Sequence, residues 1–453
     1  MQVVNPATGE VVASFEDASA ELASLRIEEA ARAFAGWRKT PMQERSRLLR
    51  GAAVILREEA RKHAVTMARE MGKPIAQGRA EVEKCALACE HFAEHGPGML
   101  APRQVATEAQ KSFVSFQPLG VVLAVMPWNF PFWQVFRFAA PAILAGNTAL
   151  LKHASNVPGS ALAIESIFTR AGFPPGVFAT VLADSGLVPR MIAHPGIAAV
   201  TLTGSVPAGR AVARVAGENL KKTVLELGGS DPYVILADAD VEKAAAVCAK
   251  SRLINGGQSC IAAKRFVVER TILPAFEEAL VERMAAAVVG DPMREDTEVG
   301  PLAREDLRDD LHRQVRESVA RGARLLCGGE VPRQAGAWYP PTVLADVAPR
   351  MPAYDEELFG PVAAVIPADS AEEAIRIAND SRFGLGAAVF TGAIERGAQI
   401  AERELEAGNC FVNDLVRSDP RLPFGGVRDS GYGRELGEYG IREFVNIKTV
   451  WVA

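Results

Sequence analysis

From position 121 onward, short apolar runs rich in β-branched residues alternate with longer segments whose apolar residues repeat at helical spacing. Val121–Met126 reads as a buried strand, Gln134–Ala145 as a helix carrying Pro141, and Thr148–Lys152 as a second strand. Ser160–Arg170 reads as a helix closed by Gly172-Phe-Pro-Pro175, and Val177–Leu182, Ala198–Leu202 and Thr223–Leu227 extend the strand series. A second series follows Gly228-Gly229. It runs helix Val241–Leu253, strand Arg265–Glu269, helix Leu273–Val289, strand Val362–Ile366, helix Ala371–Asn379, strand Ala387–Phe390, helix Ala393–Ala401 and strand Cys410–Asn413. Such alternation builds parallel sheets with helices on both faces. The expected fold is therefore α/β, with two doubly wound parallel-sheet domains.

Residues 21–97, rich in Ala, Glu, Arg and Leu, read as helices and join the first domain. That domain is expected to span 1–100 and 119–228, and the second 229–441. Two segments fit neither series: 101–118, with its alternating stretch Lys111–Gln117, and the strand-like tail at 442–453. Edge strands need covering. These two are read as a small β oligomerisation element, the alternative being a sheet local to one chain.

Composition narrows the class of protein. The chain has 453 residues, of which 49% are hydrophobic and 23% charged, as expected of globular domains with substantial cores. The net charge of −5 leaves no basic footprint for nucleic acid. There is neither an apolar run of membrane-spanning length nor an N-terminal signal pattern. The 6 cysteines show no Cys-x-x-Cys pairing of a zinc site and are too sparse for a disulfide scaffold, which suits a reducing cytoplasm. No metal site is expected.

Candidate chemistry lies where the two series meet. Cys260, in Asn255-Gly-Gly-Gln-Ser-Cys-Ile261, follows glycines that let a substrate approach and leave backbone N–H groups near the sulfur. Those donors suit the oxyanion formed when sulfur attacks a carbonyl. Glu226 ends an apolar strand, where burial raises a carboxyl toward the range of a general base. Asn129, held between prolines in Met126-Pro-Trp-Asn-Phe-Pro131, offers a rigid amide as a second oxyanion donor. The turn Thr203-Gly-Ser-Val-Pro-Ala-Gly209 precedes a helix N-terminus, an anion site of the kind that takes a pyrophosphate. Its spacing is not G-x-G-x-x-G. Taken singly, each has a bland reading: an inert buried thiol, a solvent-facing strand end, an ordinary turn.

Taken in order, these segments resemble the aldehyde dehydrogenase superfamily over nearly the whole chain. The motifs are Asn5-Pro-Ala-Thr-Gly-Glu10, Pro127-Trp-Asn-Phe-Pro131, Leu225-Glu-Leu-Gly-Gly229, Gly257-Gln-Ser-Cys260, Glu357-Leu-Phe-Gly-Pro361 and Pro423-Phe-Gly-Gly-Val-Arg-Asp-Ser-Gly431. The resemblance implies a Rossmann-like cofactor domain, a catalytic domain and a homodimer or homotetramer. It makes Cys260 the nucleophile, Glu226 the base for deacylation, and Asn129 with the Cys260 N–H the oxyanion hole. Lys152 would bind the adenosine ribose, and Gly204 and Ser205 would lie at the pyrophosphate. Glu357 would hold the nicotinamide ribose, with Phe359 packed near the nicotinamide. Trp128 and Leu227 join the cofactor set with their motifs.

Within the superfamily the chain looks most like short bacterial succinate-semialdehyde dehydrogenases, on Glu70-Met-Gly-Lys-Pro74, Ala80-Glu-Val82 and Val224-Leu-Glu-Leu-Gly-Gly-Ser-Asp-Pro232. Arg137, two helical turns beyond Asn129, stands where such enzymes place a carboxylate-binding arginine. Its alternative is a structural ion pair. Ser418 would add a hydroxyl donor, and Arg252 is a further candidate whose side is open. Where NAD-preferring relatives carry a glutamate, this chain has Ser155, which does not repel a 2′-phosphate, so NAD or NADP is expected as cofactor. Ala262 replaces the second cysteine of a redox switch. The competing readings are a dehydrogenase for other ω-carboxy or small aliphatic aldehydes, and a non-enzymatic binding protein on the same scaffold.

Overall fold

The strands of the first series lie side by side in one six-stranded sheet. A computed structural model describes the whole chain, residues 1–453. The strand order is Gly431–Tyr432, Lys222–Glu226, Ile197–Thr203, Val121–Met126, Thr148–His153 and Phe178–Thr180. All neighbours are parallel except the short first strand. Alternate side chains of Val121–Met126 enter two different cores. Val122 and Ala124 pack with Phe136, Phe168 and Phe92, while Val121 and Leu123 pack with Val200 and Ile27. Burial on both faces is why these strands read as continuous apolar runs.

The second sheet has seven strands, in the order Arg324–Cys327, Thr342–Ala345, Val362–Ala368, Arg265–Glu269, Pro232–Ile235, Gly386–Phe390 and Asn409–Val412. Only the Arg324–Cys327 edge is antiparallel. The strands Pro232–Ile235, Arg324–Cys327 and Thr342–Ala345 and the helices Glu305–Ala320 and Pro352–Asp355 go beyond the sequence expectation. The helix expected over 273–289 ends at Ala285, and Val289 instead bridges to Val299. Gly431–Tyr432 returns to the first sheet, so the chain beyond 228 is not confined to the second.

Lys111–Pro118 and Val445–Val452 pair with each other along their whole length, and Arg103–Gln104 adds a third strand. They form a sheet local to the chain. Ile447 and Trp451, on one face of the last strand, remain 63% and 50% exposed.

The long helix Ile75–Met99 locks the first sheet to the site. Glu81 on it accepts hydrogen bonds from the N–H groups of Phe132 and Trp133, both at 2.9 Å, which caps the helix Trp133–Leu144. A carboxylate there satisfies otherwise orphaned donors and complements the helix dipole. Its other oxygen pairs with buried Lys73, whose ammonium also sits 3.9 Å from the Phe130 ring centroid. The loop carrying Asn129 is thereby fixed from below. His153 closes it from the side, with its ring against the carbonyls of Met126 and Pro131.

Candidate active site

Cys260 lies just past a backbone kink. Asn255, Gly256 and Gly257 have φ of 56°, 60° and 75°, a left-handed run that favours glycine. A Cβ on Gly257 would collide with the Gly360 carbonyl. The Cys260 loop therefore packs directly on the segment that carries Glu357. Lys264 clasps the loop, its buried ammonium donating to the carbonyls of Ser259, Cys260 and Ala262 at 3.1, 3.0 and 3.1 Å. The same ammonium is 3.8 Å from Glu357.

Both expected oxyanion donors keep an N–H without an acceptor. The Cys260 N–H donates to no protein acceptor. Asn129 is buried, and its Nδ2 donates to the Gln258 carbonyl at 3.0 Å, so one of its two N–H groups remains free. Asn255 holds this arrangement together by donating to the carbonyls of Asn129 and Gln258 at 2.7 and 3.1 Å.

Glu226 is 2% exposed, and neither carboxyl oxygen has a hydrogen-bond partner. Burial raises its carboxyl well above the ordinary carboxylate value. Arg137 pulls the other way, and Glu435 adds to the rise. Gly425 makes room for it, since a Cβ there would lie 2.7 Å from Glu226 Oε1. Burial likewise pushes the Cys260 thiol up to about 12, opposed by Arg137 and Lys264. The charge of Arg137 thus acts on both groups. A neutral thiol becomes a nucleophile only when a base takes its proton.

A cavity of about 120 Å³ opens beside the sulfur. Phe130, Trp133 and Phe424 form apolar walls, and Lys84, Arg137 and Ser418 bring polar groups to it. Ser418 Oγ accepts hydrogen bonds from Lys84 Nζ at 2.8 Å and Trp133 Nε1 at 3.1 Å. Arg137 lines the cavity, and its guanidinium is paired with buried Glu435, the structural ion pair that was its alternative reading. It also donates to Thr203 Oγ1 at 3.3 Å. Arg252 turns away from the cavity and donates to the Gly257 carbonyl, so it supports the loop instead.

The residues expected to hold the dinucleotide follow the C-terminal ends of strands in the first sheet and the turn after them. Ser205 N-caps the helix Val206–Glu218, its Oγ accepting from the Ala208 N–H at 3.4 Å, and Gly204 precedes it. The Gly204 N–H donates to the Glu226 carbonyl at 3.0 Å, which ties this turn to Glu226. Leu227 packs against Gly209, where a Cβ would meet it at 2.6 Å. Lys152 is 7% exposed and makes no hydrogen bond or ion pair. Ser155 is exposed close by. Glu357 accepts from the Gly229 N–H at 3.0 Å, and Trp128 meets Phe359 edge-on at 5.7 Å. An unpaired buried ammonium and a capped helix N-terminus on the same sheet fit a phosphate-bearing dinucleotide.

Residues 1–450 match the family model described as the aldehyde dehydrogenase family. The chain belongs to that family. Among aldehyde dehydrogenases it is 50% identical over 450 residues to a probable NADP(+) succinate-semialdehyde dehydrogenase of Synechocystis, covering 99% of both chains. It is 50% identical over 448 residues to the NAD(P)+ succinate semialdehyde dehydrogenase Sad of Escherichia coli, covering 99% of this chain and 97% of that one. A crystal structure of succinic semialdehyde dehydrogenase from Streptococcus pyogenes with NADP+ superposes with a TM-score of 0.97. It is 37% identical, with 100% of this chain and 99% of that one covered.

Lys84 and Lys264 are the site groups that sequence motifs did not reveal. Lys84 sits mid-helix among alanines and glutamates with no local signature, and Lys264 immediately precedes a strand. The only available signal for Lys264 was its place four residues after the nucleophile.

Proposed function

We propose that the enzyme oxidises succinate semialdehyde to succinate with NADP+ or NAD+. The observation that carries this reading is the small cavity, with a thiol at one end and cationic and hydroxyl groups on its wall. Asn129 and the Cys260 N–H orient the aldehyde oxygen and stabilise its developing charge as the sulfur adds to the carbonyl carbon. When bound, NADP+ or NAD+ would supply the two-electron acceptor for the hydride of the Cys260 thiohemiacetal, whose hydroxyl proton passes to solvent, leaving a thioester. Glu226 then takes a proton from water as it attacks the thioester, and succinate leaves from Cys260.

Lys152, Ser155, Gly204, Ser205 and Leu227 would hold the adenosine and pyrophosphate end, and Trp128, Glu357 and Phe359 the nicotinamide end. Arg137 and Ser418 would lie at the carboxylate end of the substrate. The relatives named for NADP(+) and NAD(P)+ support dual cofactor use. No helix is long and apolar enough to cross a membrane, and all six cysteines are free, which supports a cytoplasmic setting. The exposed edge of the terminal strand supports assembly into a homodimer or homotetramer.

A panel of aldehydes of graded length and terminal charge, assayed with each cofactor, tests the assignment. The highest kcat/KM should fall on the four-carbon ω-carboxy aldehyde. A maximum on uncharged aliphatic aldehydes would replace it with the broader reading.

A further inference from the structure

Three cationic side chains reach the cavity beside Cys260, and they differ in what already neutralises them. Arg137 is engaged by Glu435. Arg417 is paired with Asp414 at 2.9 Å. Lys84, on the helix Ile75–Met99, has no carboxylate partner at all. Its ammonium stands 4.2 Å from the Trp133 ring centroid and donates to Ser418 Oγ at 2.8 Å. An ammonium has three N–H donors, so at least one is left without an acceptor.

The remaining groups around it do not supply an anion. Glu81, one turn away on the same helix, is used by Lys73 and by the Phe132 and Trp133 N–H groups. Asp419, beside Ser418, is held by Arg421 at 2.6 Å. Cys85, its chain neighbour, is a buried thiol raised by burial and therefore neutral. A partly buried cation facing an apolar-walled cavity without a counter-charge is unfavourable unless an anion joins it.

We propose that Lys84, with Ser418 Oγ fixed beside it, supplies the charge that reads the far carboxylate of the semialdehyde. It is a specificity-determining residue, and Arg137 acts on the electrostatics of Cys260 and Glu226. The proposal rests on the succinate semialdehyde reading above.

Burial, helped by the nearby Arg137 charge, brings Lys84 down to about 8. The charged form therefore prevails below that pH and is lost above it. Arg137, Arg417, Asp419 with Arg421, Glu81 with Lys73, His91, Cys85 and Cys260 are the other titratable or charged groups around it. Groups at the sulfur end act on both aldehydes, so the ratio of succinate semialdehyde to butanal reads the charges facing the carboxylate end, and the comparison of wild type with Lys84→Met separates Lys84 from Arg137 and Arg417.

The experiment compares wild type, Lys84→Met and Lys84→Arg, each with succinate semialdehyde and with butanal, from about pH 7 to about pH 10, a range that brackets the loss of the Lys84 charge. Lys84→Met should lower the kcat/KM ratio of the acid to butanal by about 10- to 100-fold, mostly through KM. The wild-type ratio should fall above about pH 8, and Lys84→Arg should keep much of the ratio and flatten that fall. Equal losses on both aldehydes, or an unchanged ratio in Lys84→Met, would overturn the assignment. A wild type with no preference for the acid would overturn the substrate reading itself, and the Lys84 assignment with it.

Discussion

Cys260 and Glu226 are both driven toward their neutral forms by burial, and the charge of Arg137 opposes this at both. A resting site of this kind is chemically quiet. It becomes reactive when the base can take a proton, so the acid limb of kcat should lie above the ordinary carboxylate range. The proposed tolerance of NADP+ is testable at a single position. Ser155 stands exposed near unpaired Lys152, with no carboxylate at that position to repel a 2′-phosphate. Ser155→Glu should raise KM for NADP+ by about 10- to 100-fold, a like-charge penalty of roughly 1.4–2.7 kcal/mol. KM for NAD+ should hold or fall. An unchanged NADP+ KM in initial-rate assays would place the 2′-phosphate elsewhere.

Among the elements, the helix Ile75–Met99 has the most concentrated responsibility, since it carries both Lys84 and the cap residue Glu81. Glu81→Ala leaves Lys73 buried without a partner and removes the cap from Trp133–Leu144. The expected loss is about 3–5 kcal/mol, read by urea denaturation. A loss under about 1 kcal/mol, the size of a surface pair, would mean that Lys73 finds water or another acceptor. What the sequence disclosed follows from the same physics. Val121–Met126 and Arg265–Glu269 were legible because strands buried on both faces are continuous apolar runs. Pro232–Ile235 was not, because it is four residues long and begins with proline directly after a glycine-rich turn. Glu305–Ala320 was missed because its charged face dominates a narrow apolar stripe of Leu311 and Val315. In the site, Cys260, Glu226 and Asn129 announced themselves through glycine and proline neighbours that constrain backbone. Lys84 and the Arg137–Glu435 pair depend on contacts between residues far apart in sequence, which no local pattern carries.

At the scale of the molecule, the two sheets are joined through the site. Gly204 hydrogen-bonds the Glu226 carbonyl, Gly229 hydrogen-bonds Glu357, and Lys264 links Glu357 to the Cys260 loop. Groups proposed for the cofactor and for the chemistry therefore form one connected set. The terminal strand Val445–Val452 presents Ile447 and Trp451 on one face at the edge of its sheet. Lysines introduced there should block edge pairing. The double variant Ile447→Lys, Trp451→Lys should sediment as a smaller species than wild type with an unchanged far-ultraviolet spectrum. An unchanged mass would assign assembly to another surface.

The central claim is that Cys260 carries a succinyl thioester which Glu226 helps to hydrolyse. Intact-protein and peptide mass spectrometry of Glu226→Gln, quenched after exposure to succinate semialdehyde and NADP+, tests it most directly. The account predicts one succinyl group per chain, on the peptide containing Cys260, together with a burst of NADPH before a slow steady state. Steady turnover at the wild-type rate with no adduct, or an adduct on any other cysteine, would contradict it.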